Sequence, residues 1–214
     1  MGRFDEVYQR SMEDPDGFWA EAAEDIAWYK KWDKVLDDSN PPFYKWFPGA
    51  ECNTCYNAVD RHVEDGRGEQ AAIIYDSPIT GTGRTITYAE LQDETARFAG
   101  VLSGLGVAKG DRVIIYMPMV PETAVAMLAC ARIGAIHSVV FGGFAPTELA
   151  TRITDSKPKA IVTASCGIEP SRIIEYGPIV KEAMEISSHD VDNVVMLQRE
   201  QCRSDHTGPK IHDW

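Results

Sequence analysis

Three things are scarce in this 214-residue sequence, and each scarcity removes a class of function. No apolar run comes near the roughly 20 residues that a membrane-spanning helix needs. The opening Met1-Gly2-Arg3-Phe4-Asp5-Glu6 lacks the charged-then-apolar pattern of a signal peptide and is too acidic for a transit peptide. Glu6 also stands where a myristoylation signal requires Ser or Thr. The expected location is cytoplasmic. Basic charge is short as well: 21 Lys and Arg face 33 Asp and Glu, for a net charge of −12, and residues 1–70 hold eight of the first against sixteen of the second. Such a field repels phosphate backbones and anionic lipid heads, which argues against nucleic acid and membrane surfaces as partners. A single anionic ligand is compatible with it wherever local cations gather. Cysteine is sparse and odd in number: Cys52, Cys55, Cys130, Cys166 and Cys202 are scattered, which argues against a disulfide framework and for reduced thiols.

What is present reads as an ordinary globular chain. Apolar residues make up 44% and charged residues 25%, so a packed core is expected. The length suits one α/β core with a smaller attached unit. The first 50 residues are aromatic and irregular. Asp14-Pro15 followed by Phe18, Trp19, Ala22, Ala23 and Ile26 predicts a capped amphipathic helix. Pro41-Pro42 marks an extended crossing segment, and Trp28, Trp32, Trp46 and Phe47 are the rings that would anchor this arm on a larger body. Cys55 or Tyr56, Val59 and Val63 have helical spacing, with Asn53 as a cap and Gly66 as a stop.

Beyond residue 70 the pattern becomes regular. Ala71–Tyr75 and Thr85–Tyr88 are β-rich runs on either side of a long turn, Ser77 to Arg84. Thr87 and Glu90 form a capping box for a helix whose core stripe is Leu91, Thr95, Phe98, Ala99, Leu102 and Leu105. Strands are predicted at 112–117, 137–141, 160–164 and 193–197, with helices at 121–133, 146–154 and 179–186 between them. Near-continuous apolar strands alternating with amphipathic helices imply an α/β fold: a mostly parallel, doubly wound sheet with helices on both faces. An irregular aromatic and helical amino-terminal arm, residues 1–70, precedes the α/β part, residues 71–214. The four strands are expected to be parallel neighbours. After Gln198 the chain turns polar.

Ligands of open parallel sheets sit beyond the carboxyl ends of the strands. Three such ends can be read: Met117-Pro118, Phe141-Gly142-Gly143-Phe144 and Ser165-Cys166-Gly167-Ile168. The double glycine either brings backbone close to a ligand or makes a tight strand-to-helix turn, and spacing alone leaves both open. Arg172 is the nearest cation past the third strand end, as a phosphate clamp or as a solvated surface Arg. Gly81-Thr82-Gly83-Arg84-Thr85 lacks the spacing and terminal Lys-Ser/Thr of a P-loop and reads as a turn. Cys52-Asn53-Thr54-Cys55 has zinc or redox spacing, but no second CxxC exists and Cys202, His206 and His212 are far away in sequence, so packing thiols are the better reading. Asp60 and His62 are too close in sequence to face each other on a helix.

Read together, four stretches resemble the acetyl- and propionyl-CoA synthetases, the AMP-forming short-chain acyl-CoA ligases. They are Pro41 to Gly49, Tyr56 to Val63, Ile86 to Leu91 and above all Tyr116 to Glu122 with Ala129 to Phe144. Asp76-Ser77-Pro78 and Cys166 to Arg172 look more like the propionyl members. The resemblance implies the amino-terminal portion of a two-step ligase: carboxylate and ATP give an acyl-adenylate and pyrophosphate, then the CoA thiol displaces AMP. Residues 71–214 would be the first, incomplete part of its AMP-binding domain. Phe141, Gly142, Gly143, Glu169, Pro170, Ser171 and Arg172 become the CoA-side candidates. Glu169 stands where acetyl-type enzymes carry an Arg that contacts the 3′-phosphate, which shifts that work to Arg172. No catalytic or metal residue is assigned. The phosphate loop, acyl pocket, ATP and Mg contacts and adenylating Lys would all follow Trp214, so the chain alone is expected to be inactive. A eukaryotic parent would place it in the cytoplasm or mitochondrial matrix. A free-standing, non-catalytic CoA-binding or regulatory module is the alternative, with a redox or metal protein built on Cys52 and Cys55 behind it.

Overall fold

The computed structural model describes residues 2–143, 145–205, 208 and 210–214. Two compact units are present, Met1–Asn57 and Ala58–Trp214, so the division falls earlier than the 70/71 boundary read from the sequence. In the first unit, α1 (Arg3–Glu13) was not anticipated, and α2 (Pro15–Ala22) starts where expected: the Asp14 carboxylate accepts the Gly17 N–H at 3.0 Å. A short turn, Ala23–Asp25, follows.

Pro41-Pro42 is not an extended crossing. It lies in the reversal between β1 (Leu36–Asp37) and β2 (Lys45–Trp46), an antiparallel pair, where the Phe43 N–H closes on the Asn40 carbonyl at 2.8 Å. Trp28, Trp32 and Phe47 pack edge-on or tilted against one another, with ring centroids 5.1–5.5 Å apart, and Trp46 joins through Phe47. Clustered rings remove apolar area from water without a deep core. The predicted cap Asn53 accepts the Tyr56 N–H at 3.0 Å, opening wide helical turns at Tyr56–Asp60 and Val63–Arg67, the second containing Gly66 at φ +81°.

In the second unit, β3 (Ala71–Ser77) and β4 (Thr82–Thr87) form an antiparallel hairpin. Its strands run further than predicted and leave only residues 78–81 as the loop. Gly83, Arg84 and Thr85 are strand residues, and Gly81 lies in the loop at φ +65°. At the start of α3 (Tyr88–Gly104), Thr87 Oγ1 accepts the Glu90 N–H at 3.2 Å while the Glu90 carboxylate accepts the Thr87 N–H at 2.8 Å. Leu91, Thr95, Phe98, Ala99 and Leu102 are buried, as the stripe predicts.

The centre is a five-stranded parallel sheet. Its strands are β5 (Arg112–Met117), β6 (Ile136–Phe141), β7 (Ala160–Ala164), β10 (Asn193–Leu197) and β11 (Ile211–Asp213), after the hairpin of β8 (Cys166–Glu169) and β9 (Arg172–Glu175). The order across the sheet is β11-β10-β7-β5-β6, and the four predicted strands are parallel neighbours. Val113 to Tyr116, Ala160 to Ala164 and Val194 to Met196 are buried, which is why these segments read as unbroken apolar runs. Helices α4 (Pro121–Ile133), α5 (Pro146–Ser156) and α6 (Tyr176–Ile186) connect the strands, and Gly134 ends α4 at φ +74°. No described helix is long and apolar enough to cross a membrane.

Candidate functional site

Parallel strands deliver their loops to one end, and in the second unit a cavity of about 590 Å³ opens there. Met117, Pro118 and Val120 come from the end of β5, Phe141, Gly142 and Gly143 from the end of β6, Gly167 to Glu169 from β8, and Arg199 from the turn after β10. The end of β3 and the loop after it close another wall with Asp76 to Thr80.

Its floor is set by a hub. Ser165, the bend between β7 and β8, donates its N–H to the Leu197 carbonyl at 2.8 Å, accepts the Tyr176 N–H at 3.0 Å, and accepts the Arg199 N–H on Oγ at 2.8 Å. One buried serine thus ties together two strand ends and the start of α6. Tyr176 is buried against Tyr116, with ring centroids 4.9 Å apart, and its hydroxyl lies between two glycines. A Cβ at Gly142 would stand 2.3 Å from that hydroxyl, and one at Gly167 2.4 Å from it. Burial pushes both phenols up to about 12, so both are neutral at physiological pH.

The sequence candidates divide between this cavity and the hairpin beside it. Phe141, Gly142, Gly143 and Glu169 line it, while Pro170, Ser171 and Arg172 are exposed at the tip of the β8–β9 hairpin and do not. The third strand end, read as a loop, is therefore a hairpin whose register pairs Glu169 with Arg172. Arg172 is no free clamp: its Nε donates to the Glu169 carboxylate at 2.8 Å. The paired carboxylate is the main reason the Arg172 guanidinium is shifted up from its ordinary value. Phe144 lies outside the described residues. Sequence reasoning missed Arg199 and Tyr176. Arg199 had one available signal, as the first cation past the carboxyl end of the 193–197 strand. Tyr176 had none, because its partners Gly142 and Gly167 are remote or unremarkable in sequence.

Elsewhere, Cys52 is exposed and Cys55 buried, and His206 lies outside the described residues. Among the described residues no group of three or more His, Cys, Asp or Glu is placed to hold a metal. Asp60 accepts from Gln92 Nε2 at 2.8 Å and pairs with Arg132.

Two family models cover the chain. Residues 59–211 match the AMP-binding enzyme family, and residues 4–58 match the acetyl-coenzyme A synthetase N-terminus. The chain belongs to the AMP-binding enzyme family. Relatives of this chain include the bovine (Bos taurus) mitochondrial acyl-CoA synthetase short-chain family member 3, 53% identical over 92% of this chain and 29% of its own length. An acetyl-coenzyme A synthetase of Streptomyces coelicolor is 50% identical over 91% of this chain and 30% of its own. A propionate–CoA ligase of Salmonella typhimurium is 45% identical over 92% and 31%. The solved acetoacetyl-CoA synthetase of Streptomyces lividans superposes with a TM-score of 0.89 at 25% identity, over the whole of this chain and 32% of that one. The chain spans about three tenths of the length of the relatives it matches.

Proposed function

We propose that this chain is the amino-terminal portion of an AMP-forming short-chain acyl-CoA ligase, which converts propionate or acetate, ATP and CoA into acyl-CoA, AMP and pyrophosphate. The observation that carries this reading is the coincidence of family and site. Phe141-Gly142-Gly143, from the block that most resembles these ligases, lines the cavity at the carboxyl ends of the parallel strands. In the first step a carboxylate oxygen attacks the α-phosphorus of ATP and pyrophosphate leaves. In the second the CoA thiol attacks the acyl carbon and AMP leaves.

ATP and Mg supply the leaving group and the charge compensation of the first step, and their contacts are assigned to the longer ligase. The part assigned to this chain is CoA-side binding. Phe141, Gly142 and Gly143 present backbone and one exposed ring to the ligand, and Glu169, Pro170, Ser171 and Arg172 form the adjoining hairpin edge. The unit ending at Asn57 is read as the synthetase arm and the unit from Ala58 as the first part of the AMP-binding domain. A doubly wound arrangement is supported by helix pairing: α3 packs with α4, and α5 with α6. The partners are small molecules, and the location is the cytoplasm or, for a eukaryotic parent, the mitochondrial matrix.

Two measurements on the purified 214-residue chain test the reading. Calorimetric titration is expected to show CoA binding at a single site, and acetate- or propionate-dependent exchange of labelled pyrophosphate into ATP is expected to be absent. Lack of CoA binding overturns the CoA-side assignment. Pyrophosphate exchange by the chain alone overturns the assignment of the ATP contacts elsewhere. A free-standing CoA-binding module would give the same two results, and is excluded when a polypeptide continuing past Trp214 performs the exchange.

A further inference from the structure

The cavity beyond the strand ends is lined mainly by apolar groups, among them Pro118, Val140, Ile168 and Ile174, and two of its lining residues, Asp76 and Glu169, are acidic. Its one Arg or Lys among the lining residues is Arg199. We propose that Arg199, and not Arg172, is the cation that holds a phosphate group of the ligand in this cavity, while Arg172 serves to neutralise Glu169. The proposal rests on the CoA-side reading and names the residue and chemistry that the reading leaves open.

Three observations support it. Arg199 is held in place: its backbone N–H is fixed by Ser165 Oγ at 2.8 Å, and one guanidinium N–H donates to the Cys166 carbonyl at 3.2 Å. A guanidinium has five N–H donors, so donors remain for an anion, and their positions are fixed before it arrives. Arg199 is also uncompensated, since among the described residues no carboxylate lies within ion-pair distance of it, whereas Arg172 is bound to Glu169 at 2.8 Å. Finally, Arg199 is half-buried beside the Tyr176 ring and the apolar lining, while the Arg172 side chain is 67% exposed. Charge in partly desolvated surroundings acts on an anion more strongly than charge in open solvent, and is screened less by salt. The class of ligand follows: an elongated molecule with an apolar body and a phosphate, which the adenosine 3′,5′-bisphosphate and pantetheine parts of CoA supply together.

The test uses the purified chain, titrated calorimetrically with CoA, adenosine 3′,5′-bisphosphate and pantetheine at fixed ionic strength. Arg199→Met keeps most of the apolar stem and removes the charge. It is expected to weaken the bisphosphate and CoA by about tenfold and to leave pantetheine within about twofold, whereas Arg172→Met weakens the bisphosphate and CoA only about two- to threefold, through the Glu169 carboxylate that it frees. Modification by phenylglyoxal, read by mass spectrometry on the native chain, covers the case in which Arg199→Met fails to fold. The bisphosphate is expected to protect Arg199 and not Arg172. Protection or affinity loss confined to Arg172 overturns the inference and leaves the CoA-side reading standing. Bisphosphate binding that depends on Arg199 without any CoA binding sinks the reading and keeps the inference. Absence of binding by all three probes overturns both.

Discussion

The Tyr176 hydroxyl occupies space that side chains at two glycines would need. Gly142 is buried, and an added Cβ would meet the Tyr176 hydroxyl at 2.3 Å, its Cζ at 2.9 Å and the Met117 carbonyl at 3.1 Å. Gly142 therefore has a packing role that neither reading of its spacing named, whatever ligand lies above it. Gly142→Ala is expected to lower stability by about 1–3 kcal/mol in urea unfolding. Tyr176→Phe in the same chain should restore part of that loss and not all, because the ring carbon and the carbonyl still crowd the new methyl. A Gly142→Ala chain as stable as the native one would show that Tyr176 moves aside freely. A second residue-scale expectation concerns His62, whose ring lies 4.8 Å from Tyr88 and whose Nδ1 is buried with no hydrogen-bond partner among the described residues. Desolvation first, then Arg67 and Arg61, depress its pKa below the ordinary 6.5, with Asp65 opposing. A depressed histidine binds its proton more readily unfolded than folded. Its contribution to stability is present above pH about 6.5 and is lost as pH falls below that value. Unfolding midpoints measured from pH 7.5 down to 5.5 should therefore fall, and His62→Phe should flatten the decline.

At the scale of elements, one carboxylate joins three segments. Asp60 closes the wide turn Tyr56–Asp60, accepts from Gln92 on α3 and pairs with Arg132 on α4. Its side chain is 13% exposed and that of Arg132 27%. Asp60→Ala leaves a largely buried guanidinium without this partner and is expected to cost about 2–3 kcal/mol, discounted from a fully buried pair. Asp60→Asn, which keeps an acceptor for Gln92, should cost less than half as much in the same denaturant titration. The elements themselves were legible to different degrees, for reasons that can be named. The four central strands declared themselves because burial on both faces demands unbroken apolar runs, and α3 because a capping box and a stripe agree. The β8–β9 hairpin was hidden: Gly167 and Pro170 are residues that punctuate loops, and the pairing of Ile168 with Ile173 is visible only once the turn is formed. The strand β11 offers a single apolar residue, Ile211, in three, and exists because β10 presents a free edge to it. Arg199 was legible only as the first cation past the 193–197 strand, since what holds it in place, Ser165 and Cys166, lies more than thirty residues away.

At the scale of the whole molecule the question is what the sheet of the second unit does with its free edges. One edge is β6, paired on a single side by β5, and on it Ile136, Val139 and Phe141 are 56%, 50% and 71% exposed. An edge strand with apolar side chains and unpaired backbone groups is a template for another strand. No lysine, proline or bulge interrupts β6 to discourage this. The 214-residue chain is therefore expected to self-associate at micromolar concentration, with weight-average mass in sedimentation velocity rising as concentration rises. Ile136→Lys places a charge on this edge outside the lining of the cavity. It should shift the chain to monomer while leaving CoA affinity unchanged. A parallel edge such as β11 carries a second opportunity, but Asp213 and the stacking of Trp214 on Phe98, with ring centroids 3.8 Å apart, cover part of it. Lysine at Val194 would disturb the core and test nothing about the edges, since that residue is 1% exposed. The decisive pairing is Ile136→Lys against a control of equal charge, Thr151→Lys on the exposed face of α5. If both variants dissociate the chain equally, net charge governs association and the β6 edge does not.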